Sequence, residues 1–494
     1  MILLYNNYGE NINLFIIFIT IFGFLLRLTN IIKPEGLWND EYVSWYTAQI
    51  PFNNGFWQAV LKQCHMPLYY LYLKPFSDCS DLILRLTSVI PSVAAIPVMY
   101  LVGKEFSKKT GYFAATITAV LSFLIYYAQE VRFYSLLFLF TTLSLLFLVR
   151  LVKRGQGLAG YIISSLLILF THVLGGIYVF FTLCYLLYKK QISKKIIAAI
   201  VCIPLFLIPL GINILRMLPS SQWWGIFSYT NILFLFTDFL SPILTNNVNV
   251  PPVFFYSKNL LFNIFLIVPT IIGITGFAAG IKRDKGLALI SFATISVMVL
   301  LALSGILVFI TKYSIEVLPI LILLISIGFS QIKFGKILFI LFIGFHLFAI
   351  FTPLYPAKIT RTEGHRLVCT LLNKQNPDKI IYTYYEPDRF ERYLETKGDS
   401  LYISKLNRFE YIENPQKIFD NIKIGEKVSI VLLDSVSFIP PQFIEQAKQR
   451  KLPEMFITFS VIKNGLIKGL EKDFKGFHID QNGSWTVVTG TRFK

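Results

Sequence analysis

Apolar residues occur along most of this chain in long runs, many of them close to the roughly 20 residues that an α-helix needs to cross a bilayer. Short polar connections separate the runs, which together predict about eleven membrane-spanning helices. The predicted spans are residues 12–32, 84–102, 111–128, 135–152, 158–171, 174–188, 195–215, 259–281, 287–310, 315–331 and 336–353.

Two of these predictions rest on more than the length of a run. The first run has no small-residue cleavage site after it, so we interpret residues 12–32 as a retained span rather than a signal peptide. The stretch 158–188 is too long for one span and short for two. We divide it at THVLGG, where polar and glycine residues interrupt the apolar pattern.

The pattern changes after about residue 355. Helix-like stretches (EGHRLVCTLLNKQ and PPQFIEQAKQR) alternate with short β-branched or aromatic runs (KIIYTYY, VSIVLL, MFITFSVI and WTVVTG). The sequence therefore predicts a polytopic α-helical membrane domain at 1–354, with residues 33–83 as its first outer loop. A small α/β domain at 355–494 is predicted to follow it.

Composition agrees with a membrane protein, because 55% of the residues are hydrophobic and only 15% are charged, against roughly 25% charged in soluble proteins. The net charge of +18 would suggest a nucleic-acid partner in a soluble chain. Here the lysines and arginines concentrate in alternate connections, so no nucleic-acid partner is expected. The basic connections contain Lys104, Lys108, Lys109, Arg150, Lys153, Arg154, Lys189, Lys190, Lys194, Lys195, Lys282, Arg283, Lys285, Lys333 and Lys336.

The positive-inside rule places these basic connections in the cytoplasm. The other connections then lie outside, and an odd number of spans places the C-terminal domain outside as well. We therefore expect a multi-pass protein of the plasma or inner membrane. Its five cysteines show no metal-ligand spacing. Cys64 and Cys79 either form a disulfide in the first outer loop or remain thiols.

Two acidic residues follow closely after the first predicted span. The stretch GLWNDEYVSWY places Asp40 and Glu41 near the outer end of that span. Charged groups near hydrocarbon are costly and commonly serve a function. The alternative is a solvated loop that leads into a helix, where Asp is a good cap and Glu suits the first turn. The pair alone does not decide between these interpretations.

Further polar residues lie at the outer ends of other spans. Interfacial tyrosine belts, snorkelling lysines and a Glu–Arg pair at a tight turn would explain them structurally. An arginine at membrane depth is also a good phosphate ligand, because its guanidinium is planar and always charged. These residues are His65 and Tyr69 in CHMPLYYLYLKPF, Gln129, Glu130, Arg132 and Tyr134 in YYAQEVRFYSLL, His172 in THVLGG, and Lys312 and Tyr313 in FITKYSIEVLP.

One reaction needs both a carboxylate and cations on one side of a membrane. A sugar carried on a polyprenyl phosphate keeps its tail in lipid, with its sugar and phosphate at headgroup depth. One carboxylate accepts the proton of the attacking acceptor hydroxyl, and the transition state is oxocarbenium-like. Arg or Lys stabilises the charge that grows on the departing phosphate. Asp40, Arg132 and Lys312 fit these roles.

The same segments resemble the type C (GT-C) membrane glycosyltransferases, in particular the bacterial group related to protein O-mannosyltransferases and lipid A aminoarabinose transferases. The similar segments are LWNDEYVSWY, HMPLYYLYL, THVLGG, TKYSIEVLP and the stretch 85–136, which ends in QEVRFYSL. The resemblance is strong over residues 12–188 and weaker around Lys312. Met66 replaces the first proline of the family's His-Pro-Pro motif, and Lys312 replaces its usual arginine.

The resemblance implies a role for each site residue. Asp40 would be the catalytic base, with Glu41 supporting it. Arg132 and Lys312, next to Tyr313, would bind the donor phosphate, although lysine lacks the bidentate fork of arginine. The remaining residues would line the cavity for donor and acceptor: His65, Tyr69, Gln129, Glu130, Tyr134 and His172.

We therefore expect a GT-C-like enzyme that transfers a monosaccharide from a polyprenyl-phosphate donor to a hydroxyl of a protein, lipid or polysaccharide acceptor outside the membrane. A single displacement inverts the anomeric carbon, whereas retention would need a second, nucleophilic carboxylate. No cofactor is expected, and a divalent metal at Asp40 and Glu41 is the alternative. A transporter or flippase of lipid-linked sugars stays open, although no inverted repeat supports it. A receptor or assembly protein is the third class.

Overall fold

The structure of this chain is a computed structural model, and it divides into two units. A membrane unit comprises Met1–Ile31 and Val43–Thr360, and a C-terminal unit comprises Ile32–Tyr42 and Arg361–Lys494. Residues 32–42, which the sequence predicts to be part of the membrane domain, lie in the C-terminal unit. The described residues are 14–34, 36–62, 66–191, 212, 230–243, 260–304, 310–352, 364–382, 390, 392–395, 399–402, 422–433, 474–482 and 485–493.

Helices form the described part of the chain up to residue 350. They are α1 Leu14–Leu28, α2 Asn39–Gln49, α3 Asn54–Lys62, α4 Leu68–Leu73, α5 Asp81–Lys104, α6 Lys108–Val120, α7 Ser122–Ala128, α8 Tyr134–Arg154, α9 Leu158–Thr171, α10 Gly175–Tyr188, α11 Thr230–Leu240, α12 Leu260–Arg283, α13 Lys285–Leu303, α14 Leu318–Gln331 and α15 Gly335–Ile350. Two 3₁₀ helices span Lys74–Phe76 and Thr311–Val317.

Long apolar helices make this chain a polytopic helical membrane protein. Within the described residues, five helical segments are long and apolar enough to cross a membrane, namely α5, α8, α12, α13 and Thr311–Gln331. The bent pair of α6 and α7 adds a sixth if it counts as one span. The shorter apolar helices α1, α9, α10 and α15 coincide with four other predicted spans. Predicted span 195–215 lies outside the described residues, so the total of eleven stays a prediction.

The structure differs from the sequence-based boundaries in three places. Residues 111–128, predicted as one span, form α6 and α7, which are bent by 51°. The bend follows from Leu121, whose ψ of 116° is not helical. The predicted outer loop 216–258 contains α11, and the predicted loop 33–83 contains α2, α3 and α4. The break predicted at THVLGG is present between α9 and α10.

Glycines allow α12 and α14 to cross closely. A Cβ atom on Gly328 would overlap the carbonyl oxygen of Gly276, and a Cβ on Gly280 would overlap the carbonyl oxygen of Leu324. Gly276 and Gly280 have the small-xxx-small spacing that lets membrane helices approach through their backbones. These helices hold the segment that carries Lys312, because α14 follows Thr311–Val317 directly.

A buried arginine joins α1 to α5 and α6. Arg27 is fully buried, and its Nε donates to Ser92 Oγ at 2.7 Å. Its Nη1 donates to the carbonyls of Gly23 and Ala119 at 2.9 Å, and its Nη2 donates to that of Thr118 at 2.9 Å. A buried charge is tolerable only when it is hydrogen-bonded in this way. Arg27 therefore fixes α1, which leads to the acidic segment.

The C-terminal unit contains a five-stranded mixed sheet in the order β2-β1-β3-β5-β4. β1 pairs parallel with β2 and β3, whereas β5 pairs antiparallel with β3 and β4. Apolar residues of α16 pack on the sheet around Val368, Ile380 and Val431. Its elements are α16 His365–Gln375, β1 Lys379–Tyr382, β2 Asp399–Tyr402, β3 Lys427–Leu433, β4 Phe474–Asn482 and β5 Trp485–Arg492.

The predicted strands in KIIYTYY, VSIVLL and WTVVTG correspond to β1, β3 and β5, and the predicted helix EGHRLVCTLLNKQ corresponds to α16. β2 and β4 were not predicted. The stretches PPQFIEQAKQR and MFITFSVI lie outside the described residues, and so does Cys64. The two alternatives for Cys64 and Cys79, a disulfide or two thiols, are therefore untested.

Candidate active site

The turn between α7 and α8 carries the polar residues of YYAQEVRFYSLL. Gln129, Glu130 and Arg132 are all buried there. The Arg132 amide donates to the Glu130 carbonyl at 2.8 Å, which makes the turn tight. The side-chain amide of Gln129 donates to the Arg27 carbonyl at 3.2 Å and also to the Thr29 carbonyl. Gln129 therefore ties this turn to the end of α1.

Arg132 lies among aromatic rings and a hydroxyl. Its side chain is buried, with a relative exposure of 5%. Its Nη1 donates to Ser44 Oγ of α2 at 3.2 Å. The Cζ atom lies 5.4 Å from the ring centre of Phe133 and 6.0 Å from that of Tyr134. These distances allow cation–π contact with both rings.

Lys312 approaches the same tyrosine from another helix. It lies in the 3₁₀ helix Thr311–Val317 and has a relative exposure of 8%. Its Nζ lies 5.8 Å from the ring centre of Tyr134 and 5.6 Å from that of Tyr313. The ring of Tyr134 therefore contacts both cations, although Arg132 and Lys312 are far apart in the sequence.

A row of rings lies beside these cations. His172 ends α9 in an extended conformation, with φ −151° and ψ 133°. Its ring stacks on Phe133 at 4.6 Å and lies nearly parallel to that of Tyr313 at 6.0 Å. The Tyr69 ring meets Phe133 edge-on at 6.4 Å. Successive ring contacts thus link Tyr69, Phe133, His172 and Tyr313.

The helix α4 positions Tyr69 next to this row. Tyr69 and Tyr70 are both buried on α4. On the same helix, the Tyr72 hydroxyl donates to the Thr87 carbonyl of α5 at 2.8 Å. Burial raises the pKa of Tyr72 above its ordinary value, so its hydroxyl stays protonated as a donor. The bond fastens α4 to α5.

Asp40 and Glu41 lie in the first turn of α2. Carboxylates are favourable there because the N-terminal end of a helix carries partial positive charge. Glu41 is fully buried, and its Oε2 accepts the backbone N–H of Trp38 at 3.2 Å, as in a capping box. Asp40 is partly exposed. Ser44 follows Asp40 by one helical turn, so the two residues lie on one face of α2.

The sequence-predicted residues thus fall into three groups. The structure brings Tyr69, Arg132, Tyr134, His172, Lys312 and Tyr313 together, and it places Gln129 and Glu130 in the adjoining turn. Asp40 and Glu41 begin α2. His65 lies outside the described residues.

Sequence reasoning missed three residues of this region. Ser44 is contained in GLWNDEYVSWY, and its helical spacing from Asp40 was the available signal. Phe133 carried no signal that distinguishes it from the many other phenylalanines. Glu316 is fully buried on the same 3₁₀ helix as Lys312, and its carboxyl oxygens form no hydrogen bond within the described residues.

No metal-binding cluster is visible in the described part of the chain, where no three His, Cys, Asp or Glu side chains lie close enough to hold one ion. Asp40 and Glu41 are the adjacent carboxylates that could contribute ligands. One oxygen of Glu41 already accepts the Trp38 N–H. A metal at this pair would therefore have to share that carboxylate with the start of the helix.

Comparison with known proteins identifies similar folds. No protein-family model and no curated protein matches the sequence. Among solved structures, ArnT from Cupriavidus metallidurans in the apo state is similar, with a TM-score of 0.53 and 11% identity over 96% of this chain and 97% of that chain. The same enzyme bound to undecaprenyl phosphate gives a TM-score of 0.51 and 12% identity over 96% and 97% of the two chains.

An oligosaccharyltransferase from Archaeoglobus fulgidus, tethered with an acceptor peptide, is also similar, with a TM-score of 0.47 and 11% identity over 96% of this chain and 73% of that chain. At such identities the likeness concerns the fold. The fold of this chain is similar to that of ArnT, which agrees with the resemblance of its motifs to the GT-C membrane glycosyltransferases.

Proposed function

We propose that this protein is an inverting membrane glycosyltransferase that moves a monosaccharide from a polyprenyl-phosphate donor to an acceptor hydroxyl. The observation that carries the proposal is the contact of one ring, Tyr134, with both Arg132 and Lys312. Two cations beside one aromatic surface at the end of membrane helices suit a phosphate whose chain lies in lipid. The similar ArnT structure bound to undecaprenyl phosphate supports this class of donor.

Arg132 and Lys312 would bind the donor phosphate, with Tyr313 beside them. As the glycosidic bond to the phosphate breaks, its electron pair stays on the phosphate oxygen. Fixed cations stabilise this charge without first having to reorient, because the surrounding rings already hold them. Tyr69, Gln129, Glu130, Tyr134, His172 and, by resemblance, His65 would line the cavity for the sugar and the acceptor.

Asp40 would act as general base. The acceptor oxygen forms the new bond to the anomeric carbon while its proton passes to the Asp40 carboxylate. Polyprenyl phosphate leaves from the opposite face, so the configuration inverts. Glu41 would support Asp40 by holding the first turn of α2 through its bond to Trp38. The resemblance of LWNDEYVSWY to the first-loop segment of the GT-C enzymes supports this assignment.

The site would face the outside of the plasma or inner membrane, with the C-terminal unit on the same side. The support is the concentration of lysine and arginine in the alternate connections. Alkaline phosphatase fused after Lys494 should be active in a bacterial host, because this enzyme folds only outside the cytoplasm. Green fluorescent protein at the same position should be dark, and the reverse result would reject the placement.

The decisive experiment is a transfer assay with the purified full-length protein. Undecaprenyl phosphate carrying radiolabelled mannose, glucose or arabinose is incubated with extracted envelope lipids, proteins and polysaccharides. We expect label on an acceptor and release of undecaprenyl phosphate. A protein that moves the intact donor across a vesicle membrane without breaking the sugar–phosphate bond would be a flippase, which would contradict the proposal.

Matched variants then test Asp40 as the general base and Arg132 as a ligand of the donor phosphate. Asp40→Asn should lower transfer by about a hundredfold or more while undecaprenyl phosphate still binds. Asp78→Asn, an exposed carboxylate of the same outer region, is the control and should remain active. Arg132→Ala should weaken binding of undecaprenyl phosphate and slow transfer, whereas Arg150→Ala should do neither. Full transfer by Asp40→Asn would remove Asp40 from the mechanism.

A further inference from the structure

Residues 32–42, which end just after Asp40, belong to the C-terminal unit. Two side chains from the later part of that unit hold the backbone just before Asp40. The Leu37 N–H donates to the Tyr393 hydroxyl at 2.9 Å. Arg366 reaches the same segment, where its Nη1 donates to the Lys33 carbonyl at 3.4 Å. The Arg366 guanidinium also lies 4.9 Å from the ring centre of Tyr393, within cation–π range. Tyr393 and Arg366 therefore form one clamp on this segment.

Gly36 makes this approach possible. Its φ is +89°, a left-handed conformation that side-chain-bearing residues rarely adopt. A Cβ atom at this position would lie 2.8 Å from the Tyr393 hydroxyl and 3.1 Å from the Arg366 Cβ. Glycine is thus required for two separate reasons, the backbone turn and the close contact with the clamp.

Hydrogen bonds on both sides of its peptide backbone fix Tyr393. Its backbone N–H donates to the Phe390 carbonyl at 2.9 Å, and its carbonyl accepts the Asn373 side-chain amide at 3.1 Å. Asn373 also accepts the Glu395 N–H at 2.8 Å. Phe390 belongs to the hydrophobic core between α16 and the sheet. The Tyr393 hydroxyl is therefore a rigid acceptor and not the end of a loose loop.

We propose that Tyr393 and Arg366 are positioning residues for Asp40. Leu37 precedes Asp40 by three residues, and the intervening backbone is tightened by the bond from Trp38 to Glu41. The clamp thus sets where α2 begins and how its first carboxylate is directed. This inference rests on the proposed function, in which Asp40 is the general base, and it assigns to Tyr393 and Arg366 a part in catalysis without contact to substrate.

The test uses the full-length protein and Tyr393→Phe, which removes only the hydroxyl. Loss of the acceptor should let the segment shift, and small displacements of a catalytic group are costly. We expect kcat for transfer from the undecaprenyl-phosphate sugar to fall roughly tenfold, with the donor KM within about twofold of the parent. Amide hydrogen exchange of peptides covering residues 36–42 should accelerate. Lys374→Ala, on the exposed side of α16, is the control and should change neither quantity.

Two further variants distinguish a role in positioning Asp40 from a general loss of rigidity in the segment 36–42. Gly36→Ala should lower kcat more than Tyr393→Phe does, because it obstructs the clamp as well as straining the backbone. In an Asp40→Asn background, Tyr393→Phe should cause no further loss, since it acts through Asp40. An additive loss, an unchanged kcat in the single variant, or unchanged exchange at residues 36–42 would each overturn the inference.

Failure of the inference can be distinguished from failure of the proposed function. If Asp40→Asn abolishes transfer while Tyr393→Phe behaves like the parent, the function stands and the clamp is merely structural. If Asp40→Asn transfers at the parent rate, the base assignment is wrong. The clamp would then be rejected as a catalytic positioning device, whatever the exchange rates show.

Discussion

Arg132 donates a hydrogen bond to the hydroxyl of Ser44 at 3.2 Å, so α2 and the turn before α8 are joined at the proposed phosphate site. A bond from a charged donor contributes about 1.5–3 kcal/mol, of which part would appear in ligand affinity. We expect Ser44→Ala to weaken binding of undecaprenyl phosphate by about fivefold to tenfold. Ser44→Thr keeps the hydroxyl and should bind like the parent. Equal affinities in all three proteins would show that this bond does not orient Arg132.

Lys312 provides the second cation beside Tyr134. Lys312→Met keeps most of the apolar length of the side chain but removes its charge, so donor affinity should fall about tenfold or more. Lys312→Arg restores the charge with a fork that suits phosphate, and should retain at least the parent affinity. Isothermal titration with undecaprenyl phosphate in detergent measures the affinities of both variants. Unchanged binding by Lys312→Met would leave Lys312 with only a packing role.

Hydropathy accounts for why so much of the membrane fold was predictable. The predicted spans 84–102 and 135–152 match α5 and α8 closely, because a run of apolar residues reports the thickness of the bilayer directly. The bend at Leu121 could not be predicted in the same way. Its neighbours are Val120 and Ser122, with no glycine or proline to mark a break. At this bend the Ser122 N–H donates to His346 Nδ1 of α15 at 3.3 Å, a contact with a remote helix that no local pattern predicts.

The residues of the candidate site were likewise predictable from the sequence, whereas their contacts with each other were not. The sequence identified Arg132 and Lys312 as cations at the outer ends of spans, because charge near hydrocarbon is conspicuous. It did not predict that both would contact Tyr134, which was assigned only to the cavity lining. Contacts between remote segments depend on how helices cross, as at the glycines of α12 and α14.

His172 stacks on Phe133 and lies parallel to Tyr313, so its ring has a packing function whatever its chemistry. His172→Phe preserves an aromatic ring and should keep folding and more than about half of the transfer activity. His172→Ala removes the ring and should destabilise the protein by about 2–3 kcal/mol. Thermal unfolding in detergent and the transfer assay distinguish the two effects. Loss of transfer in a stable His172→Phe protein would instead indicate a direct role for the imidazole.

Arg27 donates to four acceptors on three helices, and three of these acceptors are backbone carbonyls. Arg27→Met should destabilise the membrane unit by about 3–5 kcal/mol, since several buried carbonyls lose their donor. Its Tm in detergent should fall clearly below that of the parent. Arg150→Met, at the partly exposed pair with Glu105, is the control and should cost less than about 1 kcal/mol. Equal Tm values for both variants would contradict the structural role of Arg27.

Cys369 is buried in the core of the C-terminal unit, where its thiol donates to the Phe390 carbonyl at 3.3 Å. Burial raises the pKa of this thiol, so little thiolate forms in the folded protein at pH 8. Iodoacetamide should leave Cys369 unmodified until denaturant is added, whereas the exposed neighbour created by Thr370→Cys should react at once. The stabilisation from the protonated thiol is complete below its unfolded pKa of about 8.5 and is lost as the pH rises towards the folded pKa. Rapid labelling of native Cys369 at pH 8, detected by peptide mass spectrometry, would show that this core opens readily.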